Sequence, residues 1–291
     1  WHLLRFMAVR GIGRTIIDDL MVLPIALLVA FLYFQLETFG LFIAILPLIF
    51  VRYSYVSNFR LEAANRDLML ALVKAIETRD PYTSGHSIRV KDLARDLGLA
   101  AGMSMRKAAE LETAALLHDI GKIEVVYEGI LQKPSKLTPD ERKVIESHVE
   151  RGVEILKAMS SLNSRIVEGV RHHHELWDGT GYPDHLRGQQ IPLFGRIIKL
   201  ADTVDAMLSD RPYRKALSLE EAVRELDIFS GVHFDPKLVE TLVTTPLLRE
   251  YAEQMELQRA LLRRRHTDPE SSEQESTSLG LQMGTLSTIA R

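Results

Sequence analysis

The chain has 291 residues, 46% apolar and 26% charged, with a net charge of −3, an ordinary balance for a globular protein. A general nucleic-acid binder carries a basic surface, so no DNA partner is expected. Without cysteine, disulfides and thiolate metal sites are excluded, and any metal must be held by His, Asp and Glu. The chain opens on Trp1 rather than Met, and its natural N-terminus is expected upstream.

Between Thr15 and Val51 there is no Lys or Arg, and the only charges are Asp18, Asp19 and Glu37. Two apolar runs, Leu20–Leu36 and Phe39–Val56, are separated by Glu37-Thr38. The first lies at the short end of what spans a bilayer. Pro24 and Pro47 are compatible with membrane helices, where neighbours compensate broken hydrogen bonds. Arg5, Arg10 and Arg14 precede the pair, and Arg52, Arg60 and Arg66 follow it. Basic flanks on both sides put both ends in the cytoplasm. Residues 1–56 therefore read as a transmembrane helical hairpin at the inner membrane, against the alternative of a buried hairpin in a soluble domain. Two hydrophobic runs without a small-residue cleavage site do not make a signal peptide.

Residues 57–78 are rich in helix formers, with Leu61, Leu68, Leu72 and Ala75 at heptad-like spacing. Two readings stand here: a signalling helix that pairs with its twin in a homodimer, and a plain amphipathic linker. Residues 79–262 read as an all-α domain. One helix is capped by Ser84 and ends near Gly98; a second runs from Ser104 to His118. A third starts at Thr138-Pro139-Asp140-Glu141, an N-cap, a first-turn Pro and a Glu three residues after the cap. A fourth covers Leu162 to His174, and a fifth follows Pro192. The polar tail, 263–291, is expected to be disordered.

Histidines concentrate between His86 and His174. His86 shares a helical face with Val90, Leu93 and Leu97. His118 follows Ala114 by four, His148 follows Val144 by four, and His173 follows Val170 by three. Asp202 follows Ile198 by four, and Asp205 follows Asp202 by three. Six ionisable groups on five segments thus point into one apolar interior, where unpartnered charge is costly. A single inward His is most simply a hydrogen-bonded core residue. Several together, with Asp119 and Asp202, satisfy one another best around divalent cations.

Asp119 has two oxygens and can bridge two cations, and a water shared between them is a hydroxide that attacks phosphorus in line. His86, His118 and Asp202 complete one site; His148, His173 and His174 complete the other. Donors limited to N and O allow Fe, Mn, Ni or Zn and do not select among them; Fe or Mn is the expected metal, with Zn or Ni as alternatives.

His118-Asp119-Ile120-Gly121-Lys122 resembles the HD signature of metal-dependent phosphohydrolases. The run His173-His174-Glu175-Leu176-Trp177-Asp178-Gly179-Thr180-Gly181-Tyr182-Pro183 resembles the second signature of the HD-GYP family. The likeness begins at Arg79–Ser87 and continues through Ser209–Arg214 to His233–Pro236. It implies an HD-type helical bundle with a dinuclear metal site that hydrolyses cyclic di-GMP to pGpG and often on to GMP. It also implies that Asp119 and Lys122 act in catalysis, Lys122 by contacting a substrate phosphate. Asp205, Arg211 and Arg214 match pocket positions, and Gly181-Tyr182-Pro183 shapes a loop over the site. Two alternatives accompany this reading: a different cyclic dinucleotide such as cyclic GMP-AMP, and a catalytically weak cyclic di-GMP receptor.

The chain departs from the family after Lys122. Ile123-Glu124-Val125-Val126-Tyr127-Glu128 replaces a stretch that usually carries Gly and Pro, and Glu124 adds negative charge near a site for a polyanion. Tyr82 stands where some members place a third-metal Glu, so two metals are expected; Asp80 and Glu77 are the substitute oxygen donors if there is a third. His172 is left as structural or exposed, and His185, His233 and His266 as ordinary.

Overall fold

A computed structural model of the chain describes residues 2–78, 85–123, 138–159, 162–210 and 214–267. The chain divides into two compact units, Trp1–Leu68 and Met69–Arg291. Among the described residues the structure is helical without a strand, and a lone bridge pairs Ser230 with Phe234. The all-α reading holds.

Helix α1 (His2–Glu77) breaks at Glu37 (φ 49°, ψ −133°), at the interruption between the two apolar runs. At Gly40 an added Cβ would meet the Leu32 carbonyl oxygen at 2.1 Å, so only glycine fits this close return of the chain. In the first unit Phe31, Phe34, Phe39, Phe42, Leu46 and Phe50 are 60–83% exposed. Among the described residues no single helix is long and apolar enough to cross a membrane. One pair bent by 96°, Ala26–Gly40 with Ile45–Glu77, passes together by length and composition.

The second unit contains α2 (His86–Ala100), α3 (Met105–Leu116), a 3-10 turn (Ile120–Ile123), α4 (Pro139–Glu146), α5 (His148–Lys157) and α6 (Ser164–Arg171). These are followed by α7 (Leu193–Leu208), α8 (Leu219–Phe229), α9 (Pro236–Thr244) and α10 (Leu247–Thr267). Local chemistry explains several starts. Ser104 caps α3 by accepting from the Lys107 N–H, and Thr138 and Glu141 form the expected reciprocal capping box on α4. Ser84 lies outside the described residues; the N-cap of α2 is Gly85, at φ 72°.

One helix is followed at once by another, and one ends earlier than expected. The helix from Thr138 does not run on through His148: Ser147 turns its hydroxyl back to the Val144 carbonyl at 2.7 Å, and α5 starts afresh at His148. The fourth helix stops at Arg171, because His172 leaves helical geometry at φ −111°. The tail expected to be disordered from 263 is helical as far as Thr267, where the last helix ends; beyond 267 it lies outside the described residues.

The core is assembled from faces with spacings of three and four. Val90, Leu93, Ala94 and Leu97 of α2 pack with Leu111, Ala114 and Ala115 of α3, with Val170 of α6, and with Ile197, Ile198, Ala201 and Val204 of α7. Burying each Leu, Ile or Val contributes about 1.5–3 kcal/mol. The 3-10 turn lies directly against α5: a Cβ on Gly121 would reach the His148 carbonyl oxygen at 1.9 Å. That contact requires glycine, and it brings Asp119 beside His148.

Candidate metal centre

Three imidazoles are fixed in the same way. The Nδ1 of His118 donates to the Ala115 carbonyl at 2.7 Å, that of His148 to Ile145 at 2.5 Å, and that of His173 to Val170 at 2.6 Å. Each bond reaches back three residues and fixes the tautomer, leaving Nε2 as a lone-pair donor. The Nε2 atoms of His148 and His173 and the Oδ1 of Asp119 are buried without a hydrogen-bond partner. Buried polar atoms ordinarily have partners, and three converging orphans of ligand chemistry fit a cation.

The rings form a chain. Centroids are 5.4 Å apart for His86–His118, 5.2 Å for His118–His173, 5.5 Å for His148–His173 and 5.1 Å for His148–His174. Ligand atoms of Asp119, His148, His173 and His174 lie within 4.8 Å of one another, as do those of His86, His118 and Asp119. Asp119 belongs to both groups. Its Oδ1 is 3.4 Å from His148 Nε2 and its Oδ2 is 3.5 Å from His118 Nε2. Asp202 reaches His86 Nε2 at 3.4 Å from α7. The donors suit divalent first-row cations.

The electrostatics match this use. Burial alone would raise the Asp119 carboxyl, but Lys122 and the imidazoles of His118, His148 and His173 outweigh it and hold it well below the usual range. Burial, with Lys122 nearby, pushes His148 down to about 4. Burial and the neighbouring rings push His173 and His174 well below normal. These ligands are neutral at pH 7 and need release no proton to coordinate. His86 runs the other way: Asp205, Asp202 and Asp119 outweigh its burial and raise it.

Several sequence assignments find different places. Asp205, expected in the substrate pocket, is fully buried behind His86. It accepts from His86 Nδ1 at 2.7 Å, Arg89 Nε at 2.6 Å and the Tyr251 hydroxyl at 2.5 Å. With its oxygens committed, it orients the His86 ring. Arg214 is exposed and donates to the Ala206 carbonyl at 2.7 Å, at the end of α7. Lys122 Nζ pairs with Asp119 Oδ2 at 2.6 Å. Tyr182 stacks on His174, with centroids 4.7 Å apart and a 17° interplanar angle. His172 is structural: its Nε2 meets Asp184 at 2.9 Å. Arg211, Asp80, Tyr82 and Glu124–Glu128 lie outside the described residues.

Sequence reasoning missed the supporting groups. Buried Glu175 accepts the N–H groups of Asp184 at 2.7 Å and Leu186 at 3.1 Å, which ties down the loop carrying Tyr182. The backbone N–H groups of Trp177 and Asp178 bond to the carbonyls of His233 and Val232. Asp235 caps α9 and pairs with Arg196 at 2.6 Å. The motif at 233–236 therefore props up the loop after His174. Arg89 could have been found as the residue one turn past His86; nothing in the sequence points to Tyr251.

A family model described as HD domain matches residues 71–238. A 3'3'-cGAMP-specific phosphodiesterase 2 of Vibrio cholerae is 37% identical over 63% of this chain and 35% of its own length. The cyclic di-GMP phosphodiesterase response regulator RpfG of Xanthomonas campestris is 40% identical over 62% of this chain and 48% of its own. A cyclic di-GMP phosphodiesterase of Thermotoga maritima is 41% identical over 57% and 45%. The chain thus spans less than half the length of these relatives. The crystal structure of a V. cholerae cyclic GMP-AMP phosphodiesterase (V-cGAP3) superposes with a TM-score of 0.50 at 23% identity, over 65% of this chain and 52% of that one, a likeness of fold. With the family model covering most of the second unit and the histidine–aspartate cluster at its heart, this chain belongs to the HD domain family.

Proposed function

We propose that the chain is an HD-GYP phosphodiesterase that hydrolyses cyclic di-GMP to pGpG, GMP or both, using two divalent metal ions, Fe or Mn ahead of Zn or Ni. Asp119 carries the reading: it belongs to both donor groups, and one of its oxygens is buried without a partner. Cations held there supply Lewis acidity toward phosphoryl oxygens and a nucleophile at neutral pH. The chain's own residues do the rest. His118, His148 and His173 present fixed lone pairs from backbone-anchored rings. Lys122 sets a half-buried positive charge beside Asp119, suited to a phosphate oxygen. Tyr182 lies flat on His174 and shields that imidazole from water.

Relatives named for cyclic di-GMP and for cGAMP both support a cyclic dinucleotide substrate. The test uses anaerobically prepared protein loaded with Mn or Fe, a panel of cyclic dinucleotides, and chromatographic resolution of the products. Preferred turnover of cyclic di-GMP is expected. Preference for cyclic GMP-AMP would move the substrate assignment, and tight binding without turnover would make the chain a receptor.

We also propose that residues 1–56 anchor the chain in the inner membrane with the HD domain in the cytoplasm, supported by the exposed apolar side chains around the break at Glu37. The end of α1 serves as a homodimer seam, since Leu61 and Leu68 are more than 60% exposed one heptad apart.

A further inference from the structure

Helix α2 begins at His86 without a cap of its own. Its N-cap is Gly85, which has no side chain, and its first turn contains no acidic residue. The first N–H groups of a helix have no partner within it. Here the partner comes from the preceding helix. Glu77, the last residue of α1, is only 8% exposed. Its Oε2 accepts the Gly85 N–H at 2.8 Å and its Oε1 accepts the Ser87 N–H at 2.7 Å. The carboxylate therefore grips the residues on either side of His86. A buried carboxylate is costly unless well bonded, and the positive end of a helix is a favourable place for one.

We infer that Glu77 is a positioning residue for the metal centre, holding the backbone of His86 as Asp205 holds its ring. The inference rests on the metal-centre reading above. His118, His148 and His173 are each braced by a carbonyl three residues back on their own segment. His86 is braced instead by two remote carboxylates, Asp205 on the ring and Glu77 on the backbone. Its Nε2 is thus aimed by tertiary contacts, and the group containing His86, His118 and Asp119 depends on how α1 ends. A change in the last turn of α1 is delivered to a ligand. In the second group, Asp119 with His148, His173 and His174, the rings of His148 and His173 are braced by carbonyls of their own segments.

The experiment compares the full chain, in detergent where needed, as wild type, Glu77→Gln and Ser218→Ala. Gln keeps the shape but offers one acceptor oxygen to two N–H donors. Ser218 caps α8, which supplies no ligand, and controls for plain loss of stability. Each protein is titrated with Mn²⁺ against a competing chelator, counted for metal by elemental analysis, and examined by electron paramagnetic resonance for coupling between paired Mn²⁺ ions.

Wild type should bind two Mn²⁺ with a coupled signal. E77Q should bind one of them about 10–100-fold more weakly, the usual range when a group orienting a ligand is lost, and show an uncoupled signal at intermediate loading. Ser218→Ala should lower Tm and keep both sites. E77Q with wild-type affinity at both sites and only a lower Tm would overturn the role of Glu77 alone. Wild type holding no metal would overturn the metal-centre reading and this inference with it. If E77Q does not fold, Glu77→Asp, which keeps the charge and withdraws it by one methylene, carries the same comparison.

Discussion

Removing Asp119 tests the centre most directly, because both donor groups share it. Asp119→Ala leaves His148, His173 and His174 on one side and His86 and His118 on the other. A cation present at a hundred times its Kd stabilises the folded state by about 2.7 kcal/mol per site. For a unit of this size, 1 kcal/mol moves Tm by about 2–4 °C. Wild type should therefore gain about 5–10 °C per site on adding Mn²⁺, and roughly twice that with both filled. Asp119→Ala should gain less than about 2 °C, and its metal content should fall toward zero. Turnover should drop by at least about 10³-fold, on the order of 4 kcal/mol of barrier. Differential scanning calorimetry with and without Mn²⁺, alongside elemental analysis, reads both quantities. A variant that kept two metals per chain and the full thermal gain would refute the bridging role.

Lys122→Ala should retain metal and lose about 10²-fold or more in turnover, since its ammonium is proposed to meet a phosphate rather than a cation; unchanged kcat and unchanged substrate affinity would dispose of that role. Metal-free protein should lose stability as pH falls from about 6.5 toward 4. In that window the unfolded His148 takes up a proton that the folded site refuses, on the order of 3 kcal/mol from this group. His173 and His174 act in the same sense, and His86, whose pKa is raised, offsets part of the loss. A flat acid limb in chemical denaturation between pH 7 and 4.5 would contradict the buried neutral imidazoles. A chain beginning at Ser57 should be soluble and hydrolyse substrate, whereas the full chain should require detergent; recovery of the full chain as a soluble monomer without detergent would end the membrane proposal.

Much of this site was legible because its ligands sit on helical faces or, like His118 and His173, in the turns just past α3 and α6, where apolar neighbours three or four residues back reveal which way is inward. His86 with Val90, Leu93 and Leu97, and His173 with Val170, are examples. The break at Glu37, the helix start at Ser104 and the cap at Thr138 were equally local and equally readable. What periodicity missed was bonding between distant segments. Asp205 has the same inward spacing whether it faces substrate or braces His86. Only its contacts with Arg89 and Tyr251, which lie 116 and 46 residues away in sequence, decide the matter. The interruption at Ser147 was hidden for a similar reason. An apolar stripe continues across one back-bonded serine although the helix does not.

The charges around the centre are divided in a way that bears on what it attracts. Asp119 already faces Lys122 at 2.6 Å, and Asp205 already faces Arg89. Those two carboxylates are balanced within the protein. The remaining donors include three imidazoles that burial keeps neutral. Divalent cations held by such a set, as proposed above, would add more positive charge than the remaining carboxylate, Asp202, cancels. Lys199, itself lowered by burial and offset by Asp202, lies near enough to depress His174 and adds to the same sign. A pocket poised in this way is suited to an anion that brings its own charge, as a phosphodiester does, and the low-dielectric surroundings strengthen the attraction. The net charge of −3 does not count against the proposed phosphodiester substrate, because charges more than a Debye length from Asp119 are largely screened and local charge decides.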